Sequence, residues 1–200
     1  IAYVRLNSFE SKTADDEVRQ AIVKLEKDRL IKGLILDLRF NGGGLLDNAV
    51  NIASFFVEEG SVVHTVNREG SRDTLYVNGS VIYKDKPLVI LINEASASAS
   101  EILAGAIQDH KRGTIIGQHS FGKASVQNIF PLADGSAVLV TVAKYLTPNG
   151  TDIGKKGIMP DIAVDVPTNN LQKMREPGYV YTYSDDVQIQ EALKYLRTKI

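Results

Sequence analysis

The sequence predicts an α/β fold with a largely buried sheet, on three observations. Gly33-Leu34-Ile35-Leu36-Asp37-Leu38 and Pro87-Leu88-Val89-Ile90-Leu91-Ile92-Asn93 are short apolar runs without polar alternation, the pattern of strands buried on both faces. Each is followed by turn-forming residues and then by helical spacing. Strand and helix alternate in this way through the first two-thirds of the chain, as in α/β domains. The 200 residues, 44% of them hydrophobic, suffice to bury one sizeable core.

Taken in order, Ile1 to Leu6 is apolar and strand-like, and its abrupt start reads as a domain cut from a longer precursor. Asp15 to Lys27 carries Val18, Ala21, Ile22 and Leu25 at helical spacing between charged residues, an amphipathic helix. Gly33 to Leu38 is the first buried strand. Asn41-Gly42-Gly43-Gly44 ends it, and Leu45 to Val57 reads as a helix. Pro87 to Asn93 is the second buried strand, followed by a helix from Ser100 to Asp109 and a short strand over Thr114-Ile115-Ile116-Gly117. Val126 to Leu132 and Ser136 to Tyr145 flank Asp134-Gly135, the dipeptide of a tight hairpin. Pro167 to Tyr183 reads as an extended connector and Glu191 to Lys199 as a terminal helix. Internal repeats and low-complexity tracts are absent.

Composition narrows the chemistry. Lys and Arg number 23 against 24 Asp and Glu, a net charge of −1, so neither nucleic acid nor an anionic membrane is indicated as a partner. The absence of cysteine excludes thiol catalysis, thiolate metal sites and disulfides. No apolar run of about 18 residues and no basic-apolar leader is present.

The stretch Ala95-Ser96-Ala97-Ser98-Ala99-Ser100-Glu101 places serines in an alanine-rich strand-to-helix turn, and Phe121-Gly122-Lys123-Ala124-Ser125-Val126-Gln127 follows it. A serine hydroxyl becomes nucleophilic when a neighbour takes its proton, and a desolvated lysine can do so. Ser98 is thus a candidate nucleophile; equally it is a helix N-cap, a role open to Ser96 and Ser100 too. Small neighbours let a substrate carbonyl approach, and the first turn of the helix offers free N–H groups to an oxyanion. Lys123 is either an ordinary surface lysine or the base. As a base it must be buried, since at pH 7 only about one free lysine in 2,500 is neutral; Phe121 and Val126 are the apolar neighbours expected to bury it. Gln127 either orients the amine or faces water from a strand.

Asn41-Gly42-Gly43-Gly44 lies where phosphate loops occur, between a strand and a helix, but matches neither nucleotide-binding pattern. It can equally present a backbone N–H to an oxyanion. None of His64, His110 and His119 has a suggestive acidic companion in sequence, and His110 falls about 15–18 Å along the helix from Ser98. Three scattered histidines make no metal site. Asp109 stands at the C-terminal end of that helix, unfavourably for the helix dipole, which predicts a specific partner for its carboxylate.

Together these residues resemble the carboxyl-terminal processing peptidases, or tail-specific proteases. The resemblance runs from Tyr3 to Val166 through four motifs in order: Asp37-Leu38-Arg39-Phe40-Asn41-Gly42-Gly43-Gly44-Leu45-Leu46, Ser96 to Ile102, Gly117 to Lys123, and Tyr145-Leu146-Thr147-Pro148-Asn149-Gly150. It implies a Ser/Lys dyad with Ser98 as nucleophile, Lys123 as general base and Gln127 orienting the lysine. It also implies an oxyanion hole made by the N–H groups of Ala99 and Gly44, with Gly43 as the alternative, and a supporting role for Asp109. The implied fold is a crotonase-like α/β core (the ClpP/crotonase class) of repeated β-β-α units.

By the same resemblance, no metal or cofactor takes part. The substrates are C-terminal regions of unfolded or unstructured proteins, the setting is the periplasm, cell envelope or chloroplast lumen, and adaptors or homo-oligomers are conceivable partners. Ala95 departs from the glycine more common at its position. The expected organisation is a Ser/Lys peptidase core over residues 1–166 and a C-terminal extension with a short helix over 167–200, without the family's PDZ domain or leader. Two rival readings stand beside this one. The first is a non-catalytic peptide-binding or latent core that needs the PDZ domain or a partner. The second is a crotonase-type acyl-CoA enzyme that uses the glycine loop alone.

Overall fold

The computed structural model describes residues 1–28, 31–167 and 182–200. Its core is a parallel sheet in the order β1-β2-β5-β6-β9, formed by Ala2–Arg5, Leu34–Asp37, Leu88–Ile92, Thr114–Gly117 and Ile162–Ala163. The connecting helices are α1 (Ala14–Asp28), α2 (Leu46–Ser54) and α3 (Ala99–Asp109), and α4 (Val187–Arg197) comes last.

The unalternating runs have a direct cause in this arrangement. Leu34, Leu36, Ile90, Ile92 and Ile115 point to one face of the sheet and share a core with Val18 and Ile22 of α1, Ile52 of α2, and Leu103 and Ile107 of α3. Ile35, Val89, Leu91 and Ile116 point to the other face and pack on Ile189, Ala192 and Leu196 of α4. Both faces are covered, so every position of β2 and β5 is buried. Leu196 is fully buried, and truncating such a side chain to alanine costs about 2–5 kcal/mol.

A second, antiparallel sheet has the order β4-β3-β8-β7, from Arg72–Tyr76, Ser61–Asn67, Ala137–Leu146 and Ser125–Pro131. The architecture is therefore mixed α/β with one parallel and one antiparallel sheet. Strand β8 pairs with β3 only over Ala143 to Leu146, so its stretch from Ala137 to Thr141 pairs with β7 alone. That half of the hairpin projects as a two-stranded ribbon and leaves Ile129, Phe130 and Leu139 exposed.

Boundaries differ from expectation in four places. Helix α2 stops at Ser54, because the N–H groups of Phe55 and Phe56 bond three residues back, to Ile52 and Ala53. Strand β4 is polar and exposed, and β9 is two residues long; neither leaves an apolar signature. Helix α4 begins at Val187 rather than Glu191, because the Asp186 carboxylate accepts from the N–H groups of Gln188 and Ile189 and caps the helix there. Most of the expected connector from Pro167 to Tyr183 lies outside the described residues.

Candidate active site

Strands β2 and β5 are neighbours, and the turns that leave their carboxyl ends are stitched together. The N–H of Ala97 donates to Asn41 O at 3.0 Å, Ser100 Oγ to the same carbonyl at 2.9 Å, and Ser96 Oγ to Leu38 O at 2.9 Å. Both hydroxyls are therefore engaged with main-chain oxygens, and both serines are fully buried. Ser98, between them, is half-buried at the N-cap of α3. Its φ of +56° is a conformation that non-glycine residues rarely adopt and that clusters at functional turns.

The glycine loop lies directly against this serine. A Cβ on Gly43 would stand 2.8 Å from Ser98 Cβ and 3.0 Å from Ala99 N. Gly43 and Gly44 have φ of +99° and +144°, which glycine alone adopts without strain. The N–H of Gly43 donates to Asn41 Oδ1 at 2.9 Å. By contrast, neither Gly44 N nor Ala99 N has a hydrogen-bond partner among the described residues, although the next two N–H groups of α3 bond to Ala97 O and Ser98 O. Ala99 is the first residue of α3, so the helix itself cannot satisfy its N–H, which can donate to a ligand.

Glu101, fully buried in the first turn of α3, joins the serine to the lysine loop. Its Oε2 accepts from the N–H of Ser98 at 2.8 Å and of Lys123 at 2.9 Å. Its Oε1 accepts from Ser120 Oγ at 2.5 Å and Gly122 N at 2.6 Å. The loop is tied further by Phe121 N donating to Ser96 O at 2.9 Å. The backbone of Lys123 is thus fixed relative to Ser98.

The side chain of Lys123 is exposed, which corrects the expectation that Phe121 and Val126 bury it. Phe121 is itself 64% exposed: the loop is held by main-chain hydrogen bonds to Glu101, not by packing of its apolar residue. No hydrogen bond joins the Lys123 ammonium to Ser98 among the described residues. Gln127 lies on β7 opposite Thr141 and is exposed, just past a register shift after Val126.

The histidines are engaged elsewhere. His64 contacts Thr74 Oγ1 (2.7 Å) and Pro148 O (3.1 Å), His110 contacts Ser61 O (2.8 Å), and His119 contacts Ser120 O (2.8 Å). Asp109 does have a specific partner: its Oδ2 accepts from Asn149 N at 2.8 Å, which holds the Pro148-Asn149-Gly150 turn against α3. Among the described residues no three His, Asp or Glu side chains converge as a metal site, and no helix is long and apolar enough to cross a membrane.

The profile of peptidase family S41 matches residues 1–164. The chain belongs to that family. It is 45% identical to the carboxyl-terminal-processing protease of Synechocystis sp., over 98% of this chain and 44% of that protein. It is 40% identical to the carboxy-terminal-processing protease of Bartonella bacilliformis, over all of this chain and 52% of that one. The chain thus spans about half the length of these relatives. Among solved structures, the photosystem II D1 C-terminal processing protease superposes with a TM-score of 0.76 at 47% identity, over 82% of this chain and 42% of that one. The resemblance to carboxyl-terminal processing peptidases read from the sequence is therefore shown.

Two residues of this S41 chain carry more of the site than their sequence positions announce. Glu101 stands three residues after the N-cap, the spacing of a capping box, which points only to its bond with Ser98. Arg39 is the other. Its Nε donates to Asp37 Oδ1 at 2.9 Å, one terminal nitrogen to Asp37 Oδ2 at 2.6 Å, and the other to Asp186 Oδ1 and Gln188 Oε1 at 3.0 and 2.9 Å. Burial acts to lower its pKa, but the hydrogen bonds and charges of Asp37 and Asp186 outweigh it and raise the pKa above its ordinary value. The ion pairs anchor the start of α4 to the end of β2, beside the glycine loop.

Proposed function

We propose that the chain is the catalytic part of a serine endopeptidase that cleaves near the C-termini of unfolded or unstructured proteins in an extracytoplasmic compartment. Ser98 is the nucleophile in this reading, Lys123 the general base and Gln127 the residue that orients it. One observation carries the proposal. Of the three serines in the turn, Ser96 and Ser100 donate to main-chain carbonyls, whereas Ser98 sits half-buried at the N-cap of α3, against Gly43 and next to the N–H of Ala99, which has no partner among the described residues.

The chemistry follows from that placement. Neutral Lys123 takes the proton of Ser98 as Oγ attacks a peptide carbonyl. The oxyanion accepts from Ala99 N and Gly44 N, a type of contact worth about 3–4 kcal/mol per donor in such sites. Gly43 is the weaker choice, because its N–H already donates to Asn41. Protonated Lys123 then gives its proton to the leaving amine, and water releases the acyl group. A substrate lying over the exposed loop provides the desolvation that a lysine base requires. Asp109 supports the site through the Asn149 turn. The alternation of parallel strand, helix and antiparallel pair (β2, α2, β3–β4, then β5, α3, and β6, β7–β8) is consistent with the crotonase-like core of β-β-α units. The division at residue 166 belongs to the same proposal.

A second reading is favoured by the exposure of Lys123: a latent core whose dyad closes only with a further segment or a partner. Degradation of casein from pH 6 to 10 by the chain and its Ser98→Ala and Lys123→Ala variants separates the two. Activity lost in both variants supports the dyad. A parent that neither degrades casein nor reacts with a fluorophosphonate at Ser98 supports latency, and activity surviving either substitution overturns the assignment.

A further inference from the structure

Phe40 is 66% exposed and has a φ of +61°, left-handed geometry that is unusual for a bulky aromatic residue. Its N–H donates to Asn93 Oδ1 at 2.8 Å and the following N–H to Leu38 O at 3.2 Å, so the turn after β2 fixes the backbone and turns the ring to solvent. Strain and an apolar ring in water both disfavour the folded state, and such conflicts persist where function requires them.

The ring lines a cleft of about 290 Å³ at the carboxyl ends of the parallel strands, where open α/β sheets bind their ligands. Val166 and Val187 also line it. The Arg39 donors that point there are occupied by Asp37, Asp186 and Gln188, so the floor offers no site for an anion. Among the described residues, Arg5 and Glu94 also line it. Apolar walls suit an apolar side chain and disfavour a charged one, which would lose its hydration there.

The cleft adjoins the candidate active site along the chain. Phe40 is three residues before Gly43, and at 3.8 Å per residue their Cα atoms lie within about 11 Å, the reach of roughly three residues of extended peptide. We propose that Phe40 is a specificity-determining residue, forming with this cleft a subsite for an apolar substrate side chain within a few residues of the scissile bond. The inference rests on the peptidase reading above.

The test uses quenched fluorescent peptides identical except for Leu or Asp at one position, scanned from three residues before to three after the scissile bond. At one position the parent prefers Leu in kcat/KM. Phe40→Gly reduces that preference at least about tenfold, the usual worth of apolar pocket contacts, while raising the melting temperature by releasing the strained turn. Val166→Ser, which leaves the turn intact, reduces the same ratio. A general loss of stability would lower kcat/KM for both peptides alike and leave the ratio in place; an unchanged ratio in both variants overturns the subsite. Binding of the same peptides to Ser98→Ala, followed by fluorescence anisotropy, keeps the two readings apart. If the parent cleaves nothing yet the Leu/Asp binding ratio depends on Phe40, the peptidase reading falls and the subsite stands. Cleavage with no dependence on Phe40 gives the reverse, and absence of both sinks both.

Discussion

The carboxylate of Glu101 accepts the main-chain N–H of Lys123 at 2.9 Å, across 22 residues of sequence. Since the same oxygen accepts the N–H of Ser98, one buried side chain sets the distance between the two backbones that the proposed dyad must bring together. The two backbones are thereby held in a fixed relation, while the side chain of Lys123 remains exposed.

Replacing Glu101 with glutamine is therefore expected to do more than its small change of shape suggests. The carboxylate serves four donors, two on each oxygen; an amide turns its NH2 toward two of them. Each buried donor left unsatisfied costs about 1–3 kcal/mol. Casein degradation should fall by a factor of 100 or more while Glu101→Gln still folds, with its urea midpoint lowered. Full activity at reduced stability would show that the carboxylate only braces the fold.

Gly43→Ala tests the glycine loop by a steric route. The new Cβ would meet Ala97 O at 2.7 Å and Ala99 N at 3.0 Å, backbone atoms that cannot move away cheaply, at a φ of +99° that alanine resists. Fluorophosphonate labelling of Ser98 should slow at least about a hundredfold, the worth of one oxyanion donor. Gly42→Ala is the control: nothing lies within 4 Å of its Cβ position, and labelling should stay within about twofold of the parent.

The sequence was legible where burial was uniform and opaque where it depended on partners distant in the chain. Strands β2 and β5 declared themselves because helices cover both faces of their sheet. Strand β4 hid because its residues are polar and exposed. The family resemblance points to Ser98, while the local pattern alone leaves Ser96, Ser98 and Ser100 as equal N-caps, since Ser96 and Ser100 are engaged by Leu38 O and Asn41 O, 58 and 59 residues away. The unfavourable dipole position of Asp109 predicts a specific partner, and Asn149 supplies it. Closeness in sequence predicts that Phe121 shields Lys123, yet both residues are exposed. Local spacing encodes the bond of Glu101 to Ser98 but not its bonds to Ser120, Gly122 and Lys123, nor those of Arg39 to Asp186 and Gln188.

Arg39→Met removes the cation from a buried cluster and leaves Asp37 and Asp186 facing each other without it. Breaking such a pair typically costs about 3–5 kcal/mol, and here the loss falls at the junction of β2, the glycine loop and α4. Urea unfolding should show a loss of that size. Amide exchange should rise first in α4, whose capping residue Asp186 loses its bond to Arg39. An unchanged midpoint would mean that the ion pairs contribute little beyond packing.

Alkaline stability gives a prediction of known sign. Burial, reinforced by the charge of Glu26 and opposed by Arg112, raises the Tyr83 phenol above its ordinary value. Its side chain packs edge-on against Phe56, and its hydroxyl donates to Pro87 O at 3.4 Å. The folded state therefore holds the proton to higher pH than the unfolded chain, which releases it near pH 10. The stabilising contribution is complete below pH 10 and is lost progressively as the pH rises from there toward the folded-state value. Melting temperatures from pH 8 to 12 should decline above pH 10, with phenolate absorbance appearing together with unfolding, and Tyr83→Phe should flatten that decline. An equally steep decline in Tyr83→Phe would assign alkaline unfolding to other groups, of which Tyr145, also raised by burial, is the next to replace.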